Sequence, residues 1–452
     1  MSYAVSAQKD LLTMMYGDET HIEMLDAFAK LVEERVLPAE MATEVARAAN
    51  PLHEFRSQLL AEDTLDKNAV EAVYEKARSK RKVPDNVFQQ IVESGLTAMP
   101  FAEELGGLGL PFPLFIAFLE TLGKASPSIG VRYAISNTVA EGLKFNYHAG
   151  RLSDYGRSIL EALVSGEHLA AFCLTEASAS GSNIMQEMAT RAVLNGGGSE
   201  YTLTGNKFWI TNAESATVFG VFARTSKDPR HGVSLFMVER AQEGCRTGQV
   251  FEKYVVENSS FGEIVFNEVK LPPDHMVGQE GFGMDYAMRM LNSGRITIAA
   301  LATGLAQRVF EEYLEVAIEG KKTAGRHLIE YDRTKAKVAE LSTEINAARD
   351  MTYRAAWMKD QYDKNSNDGD LLARYVIAAN SAKLKAAAVA QKACTYLIQI
   401  WGASSVVKEN RAMKHYLDSW LYYFGEAVPE VLENTLSRME VKRYKVKKGL
   451  QD

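Results

Sequence analysis

The last third of the chain leaves little freedom of fold. From about residue 280 the sequence runs in long Ala- and Leu-rich stretches with charges spaced between them, over 283–320, 333–364, 370–402 and 411–440. Each reads as a helix of 25 or more residues, and KNSNDGD at 364–370 reads as a loop between two of them. Long helices joined by short connections pack most simply as an antiparallel bundle, so a four-helix bundle is predicted for 276–452.

The preceding stretch, about 169–275, has a different period. YTLTGNKFWI, TVFGVFART, VSLFMVER and GEIVFNEVKL are short, rich in β-branched and aromatic residues, and separated by the turns NGGGSE and SKDPRHG. Strands this close together, with no helix between them, predict an antiparallel sandwich or barrel. Residues 1 to about 168 return to helical spacing, with Leu25, Phe28, Leu31 and Val32 on one stripe and Phe88, Ile91, Val92 and Leu96 on another. The turn-rich GGLGLPFP follows at 106–113, then a buried helix over 114–123 and another apolar stretch over 130–144. The expected order is therefore a helical domain (1–168), a β-barrel domain (169–275) and a helical bundle (276–452).

Composition narrows the function. Hydrophobic residues make up 46% and charged residues 24%, enough for a large core. The net charge of −7 disfavours nucleic acid as a partner. Three scattered cysteines, Cys173, Cys245 and Cys394, argue against a disulfide framework or a zinc ribbon and fit a reducing compartment. No secretory signal and no transmembrane run is read, so the expected location is the cytoplasm, or the mitochondrial matrix in a eukaryote. The basic tail VKRYKVKKGLQD reads as a solvated end, with a contact to a membrane or a CoA phosphate as the alternative.

Chemistry is sparse at the level of residues. The eight histidines form no HxxxH or HExxH pair, so no metal is expected. No GxSxG occurs, and SASGS at 178–182 is either a turn or a loop whose backbone amides meet an anion. GGLG at 106–109 and GFG at 281–283 sit in no βαβ unit and read as loops. Arg295, in LNSGRITIAA, is an arginine among apolar neighbours and needs a partner, either a carboxylate on another helix or a bound anion or substrate. Glu426, in YYFGEAVPE, has two readings. It is a general base, raised in pKa by packing against Tyr423 and Phe424, or a helix-terminal acid complementing the dipole.

FCLTEASASGSNIMQEMATRA, followed by YTLTGNKFWITN, resembles the acyl-CoA dehydrogenase family, whose pattern there is CxTEPGAGSD and then GxKxWITN. EELGGLGLP, GQEGFGMDYAM, GRITIAALATGLAQ and QIWGASSVV resemble further family segments, so the likeness covers nearly the whole chain. The resemblance implies FAD-dependent α,β-dehydrogenation of an acyl-CoA thioester by a homo-oligomer, a dimer or tetramer, that passes electrons to an electron-transfer flavoprotein. It implies Glu426 as the base that removes the α-proton, since Gly294 stands where other members carry one on an earlier helix. It implies Phe172, Leu174, Thr175, Gly181 and Ser182 on one side of the flavin and Trp209, Ile210 and Thr211 on the other. Ser182, Asn292 and Arg295 would then meet substrate, and Lys321, Thr323, Gln399 and Gly402 the adenosine end of FAD.

That adenosine end departs from the family pattern. RxxFG reads Lys321-Lys-Thr-Ala-Gly325, the customary Gln is Asp332, and the Thr of EGT is Val428. Lysine lacks the planar fork of arginine, so a different or weaker hold on the pyrophosphate is expected. The rival expectations are a flavoenzyme of the same scaffold, acting on a carrier-protein thioester or with oxygen, and a non-catalytic acyl-CoA-binding or assembly protein.

Overall fold

The structure, a computed structural model, describes residues 3–48, 83–179 and 183–450. The N-terminal part holds α1 (Tyr3–Tyr16), α2 (Glu19–Leu31), α3 (Leu37–Ala48), α4 (Asp85–Glu93), α5 (Phe112–Ala125), α6 (Pro127–His148) and α7 (Asp154–Ser165). Local chemistry sets their ends. Ser126 caps α6 by accepting from the Ile129 amide at 3.1 Å, with Pro127 in the first turn. Ser153 caps α7 in the same way from Gly156 at 3.0 Å.

The middle part is one eight-stranded sheet: β1 (Ala170–Cys173), β2 (Arg191–Leu194), β3 (Tyr201–Thr211), β4 (Val218–Arg224), β5 (Val233–Glu239), β6 (Cys245–Val250), β7 (Phe261–Leu271) and β8 (Met276–Val277). A single-turn helix, α8 (Ile184–Glu187), precedes β2. The strand order is β6-β7-β3-β2-β4-β5-β8, with β1 pairing parallel to β4. VFGVFAR of β4 is apolar throughout because both its faces are covered. Val218 and Phe222 pack toward α6 and α7, while Phe219, Val221 and Ala223 join Phe236, Ile264 and Phe266 on the other side. The expected barrel is corrected here to an open sheet, since among the described residues no pairing joins the end strands β6 and β8. The reason lies in those ends: β8 is two residues long, and β6 is exposed or half-buried along its length, with no apolar face to bury against a closing partner.

The C-terminal part holds α9 (Gly283–Glu315), α10 (Asp332–Lys364), α11 (Gly369–Trp401), α12 (Ala412–Phe424) and α13 (Pro429–Lys448), with a small hairpin of β9 (Lys322–Thr323) and β10 (Arg326–His327) after α9. Helix α9 lies at the centre, packed on α5, α6, α10 and α11. One apolar core therefore runs from Phe115 and Phe118 of α5 through Leu301 and Leu305 of α9 to Ala386 and Ala390 of α11. The three cysteines are free thiols. Among the described residues no helix is long and apolar enough to cross a membrane.

Candidate active site

The fourth long helix expected over 411–440 is broken. Helix α12 stops at Phe424 and α13 starts at Pro429. Pro429 has no amide to donate and forces Val428 into extended backbone, at φ −70° and ψ 155°. The interruption holds Glu426, whose φ of 57° lies in the left-handed region, as does that of Ala427 at 90°. Glu426 lies two residues ahead of the α13 cap Val428, outside the helix, so the dipole reading does not describe it.

The turn sends the Glu426 side chain into α9. A Cβ built on Gly294 would fall 2.5 Å from Glu426 Cδ, so the carboxyl fills the space a side chain at 294 would take. Its Oε2 is shut off from solvent and has no hydrogen-bond partner. Burial raises the Glu426 pKa to about 7, against the opposing pull of Arg295 and Lys383. The desolvating surface is thus α9, and not the Tyr423 and Phe424 pair expected from sequence. Tyr423 turns its hydroxyl to Glu430 at 2.9 Å, and Phe424 is largely exposed.

Two cations surround this turn. Arg295, 6% exposed, donates from Nη1 to Asn292 Oδ1 at 2.6 Å and from Nε to the Glu426 carbonyl at 3.2 Å. Burial lowers its pKa, and Glu426 opposes that shift. In place of the carboxylate on another helix that the sequence offered, its hydrogen bonds within the chain go to a main-chain carbonyl and an amide oxygen. Lys383 of α11 donates from Nζ to the carbonyls of Tyr423 and Ala427, at 2.8 and 2.7 Å. Sequence reading missed Lys383. A lysine in the Ala-rich run NSAKLKAAA looks like part of a solvated face, and only its place in the helical period, with Ala379, Ala382, Ala386 and Ala390 buried beside it, hints otherwise.

A second group lies on the sheet. Phe172 is half-buried on β1 and packs on Phe222 at 5.1 Å between ring centroids; Leu174 and Thr175 follow the strand. This segment is fastened from β3. Lys207 Nζ donates to Glu176 Oε1 at 2.8 Å and to the Leu174 carbonyl at 3.0 Å, and Glu176 also accepts from the amides of Ala189 and Thr190. Trp209 stands at a bulge in β3 with φ 62°. Its indole is 51% exposed and is backed by Phe251 and Phe261, with centroids 5.0 and 6.0 Å away. Ile210 turns its side chain into the sheet core, which leaves only its backbone to face a ligand. Thr211 is half-buried and pairs with Phe261. Gly181 and Ser182 lie outside the described residues.

A third group gathers at the end of α11. Lys321 Nζ donates to the carbonyls of Ile400 and Trp401 at 3.4 and 3.3 Å, close under Gly402. Gln399 accepts from Lys337. Thr323 is exposed in β9, and its carbonyl accepts from the Tyr331 hydroxyl at 2.7 Å. Lys321 and Gln399 already hold partners within the chain. Among the described residues no group of three or more His, Cys, Asp and Glu side chains is placed to hold a metal ion.

Known proteins share this fold. The sequence matches three family descriptions in chain order: acyl-CoA dehydrogenase N-terminal domain over residues 57–147, middle domain over 171–269 and C-terminal domain over 281–440. The probable acyl-CoA dehydrogenase YngJ of Bacillus subtilis is 33% identical over 361 residues, 79% of this chain and 90% of that protein. The short-chain specific acyl-CoA dehydrogenase of Clostridium acetobutylicum is 29% identical over 371 residues, 82% of this chain and 93% of that one. Among solved structures, butyryl-CoA dehydrogenase from Megasphaera elsdenii superposes with a TM-score of 0.75 at 26% identity, covering 92% of this chain and 98% of that one. The fold, the order of the three matched regions and the identity to whole relatives agree, and the chain belongs to the acyl-CoA dehydrogenase family of flavin-dependent oxidoreductases, which act on the CH–CH bond of an acyl-CoA.

Proposed function

We propose that the protein catalyses FAD-dependent α,β-dehydrogenation of an acyl-CoA thioester with Glu426 as the α-proton base. The observation that carries this reading is the unpartnered Glu426 Oε2, buried against Gly294 with a pKa of about 7. A carboxylate in that range is a stronger base than a solvated one, yet is still largely ionised just above neutrality. It accepts the α-proton as the α C–H bond breaks, and the electron pair moves toward the Cα–Cβ bond. Arg295, held by Asn292, keeps positive charge beside the turn as negative charge develops on the substrate.

An exposed aromatic ring and half-buried hydroxyls fit FAD at its ring end. Trp209 offers a free aromatic face, Thr175 and Thr211 offer hydroxyls, and Phe172, Leu174, Gly181 and Ser182 would complete the wall. When bound, FAD would supply the hydride acceptor, N5, for the β-hydrogen. Lys321, Thr323, Gln399 and Gly402 would meet its adenosine end, where the in-chain bonds of Lys321 leave fewer of its donors free and Gln399 already engages its side-chain oxygen. The three units 1–168, 169–275 and 276–452, a homo-oligomeric assembly, an electron-transfer flavoprotein as acceptor and a site of action in the cytoplasm or mitochondrial matrix belong to the same proposal.

The test is an anaerobic titration of the flavin absorbance near ~450 nm with acyl-CoAs of graded chain length. The parent protein should bleach with one chain class. Glu426→Gln should keep its flavin and not bleach, and bleaching at the parental rate would remove Glu426 from this role.

A further inference from the structure

Glu426 and Ala427 are both non-glycine residues with positive φ, a backbone in which Cβ crowds the following carbonyl. Such conformations persist only where neighbours over-determine them. Two features of the main chain add to the problem. The Tyr423 carbonyl lies in the last turn of α12, where helices leave acceptors unpaired and the dipole is negative. The Ala427 carbonyl lies between two helices and belongs to neither.

Lys383 answers both. Its ammonium reaches from α11 and donates to the Tyr423 carbonyl at 2.8 Å and the Ala427 carbonyl at 2.7 Å, one on each side of Glu426. The side chain is wholly buried, at 0% exposure, among alanines of a helix that would accept an apolar residue. Buried lysines ordinarily pair with a carboxylate. Among the described residues the hydrogen bonds of Lys383 go to these two carbonyls and to no carboxylate. Burial and, after it, the neighbouring charge of Arg295 lower its pKa to about 8, with the nearby carboxyls of Glu426 and Glu430 opposing that shift, so the ammonium is retained at neutral pH. Arg295 holds the Glu426 carbonyl, which lies between these two, from α9.

We propose that Lys383 is a positioning residue for the reaction: its ammonium staples the end of α12 to Ala427 and thereby holds the Glu426 carboxyl in the notch at Gly294. The inference rests on the reading of Glu426 as base, and it assigns to Lys383 a task carried out entirely through the backbone.

The test compares Lys383→Met, Lys383→Arg and Lys383→Ala with Glu426→Gln, all as full-length holoproteins. Two quantities are read: the rate of flavin reduction by acyl-CoA, and the titration of the Glu426 carboxyl by carbon-13 NMR without substrate, its resonance identified by its loss in Glu426→Gln. Lys383→Met should remain yellow and reduce about 10²-fold more slowly, the scale expected when a reacting group is misplaced by about 1 Å. Its Glu426 pKa should fall from about 7 toward the ordinary carboxylate range as the turn opens to water. Lys383→Arg should fall between Met and the parent. Ethylammonium should restore part of the rate to Lys383→Ala, which also carries the test if Lys383→Met does not fold.

Parental reduction rates in Lys383→Met, or in Lys383→Ala with and without the amine, would overturn the proposal. So would a rise in the Glu426 pKa at unchanged rate, the signature of a lost counter-charge and not of a lost clamp. Failure of the base reading is seen separately, as reduction at the parental rate in Glu426→Gln, and the carboxyl titration still reports whether Lys383 holds the side chain.

Discussion

At the scale of the residue, the site turns on one carboxyl with an oxygen shut off from water. The Glu426 pKa moves from 4.5 to about 7 in the folded protein. As the proposed base it must be ionised, so flavin reduction should climb as pH rises through about 7 and level off above it, measured by rapid mixing across pH 5.5–9. Stability should run the opposite way. Between 4.5 and about 7 the folded state binds the proton more tightly than the unfolded one, so raising pH through this window removes stability. The loss is roughly 3 kcal/mol, complete above the folded pKa. Glu426→Gln carries no such burden. It should unfold at a higher temperature than the parent at pH 8, and the two midpoints should converge near pH 4.5. Glu426 was legible in the sequence through a spacing shared with a known family. Lys383 was marked only by its place on the alanine stripe of α11, because its bonds go to backbone carbonyls and not to side chains that the sequence could pair with it.

At the scale of the element, the site is made by an interruption. The helical period continues across 411–440, and so the sequence predicts one helix. Gly425 and Pro429 divide it, and the gap is where Glu426, the proposed base, sits. The second requirement is a notch in the facing helix. Gly294 lies mid-way along α9, where glycine is ordinarily unfavourable, and a methyl group there would meet Glu426 Cδ at 2.5 Å. Gly294→Ala should therefore keep the fold, with a stability change within about 1–3 kcal/mol. The rate of flavin reduction should drop by about 10²-fold, because the carboxyl must leave its place. Stopped-flow reduction alongside thermal unfolding separates the two effects. A rate within a factor of about two of the parent would show that the carboxyl does not need this notch. The same close approach recurs where α9 crosses α5: a Cβ on Gly304 would fall 2.1 Å from the Glu120 carbonyl.

At the scale of the whole molecule, α9 serves both the core and the site, and buried polar pairs fix its neighbours around it. Arg349 of α10 donates from Nε to Glu120 of α5 at 2.8 Å and from Nη2 to Gln307 of α9 at 2.9 Å, joining three helices within the core. Breaking such a pair leaves a charge buried alone. Arg349→Met should cost about 3–5 kcal/mol, read as a lowered unfolding midpoint, whereas Glu120→Leu/Arg349→Met should recover most of the loss. A single variant as stable as the parent would mean that Glu120 takes up a proton or finds another donor. The N-terminal helices are tied in by similar means: Glu44 of α3 accepts from Arg411 at 2.7 Å, and Glu40 accepts from Ser126 at 2.8 Å and from Asn258 at 2.6 Å. Two of these ties cross more than two hundred residues of chain, 367 between Glu44 and Arg411 and 218 between Glu40 and Asn258, and no local pattern announces them.

The sequence by itself determined the order of helical, strand and helical parts, because periods of 3.6 and 2 are set by side-chain geometry along a few turns of chain. Family likeness added Glu426 and the groups beside Trp209. Only the tertiary structure decided that the sheet stays open and that the last long helix breaks at Glu426. It also decided that Gly294, Arg295 and Lys383, from two other helices, form the walls around that carboxyl. The physical reason is common to all three. Closure, burial and desolvation depend on which surfaces meet, and those surfaces come from parts of the chain that no local window contains.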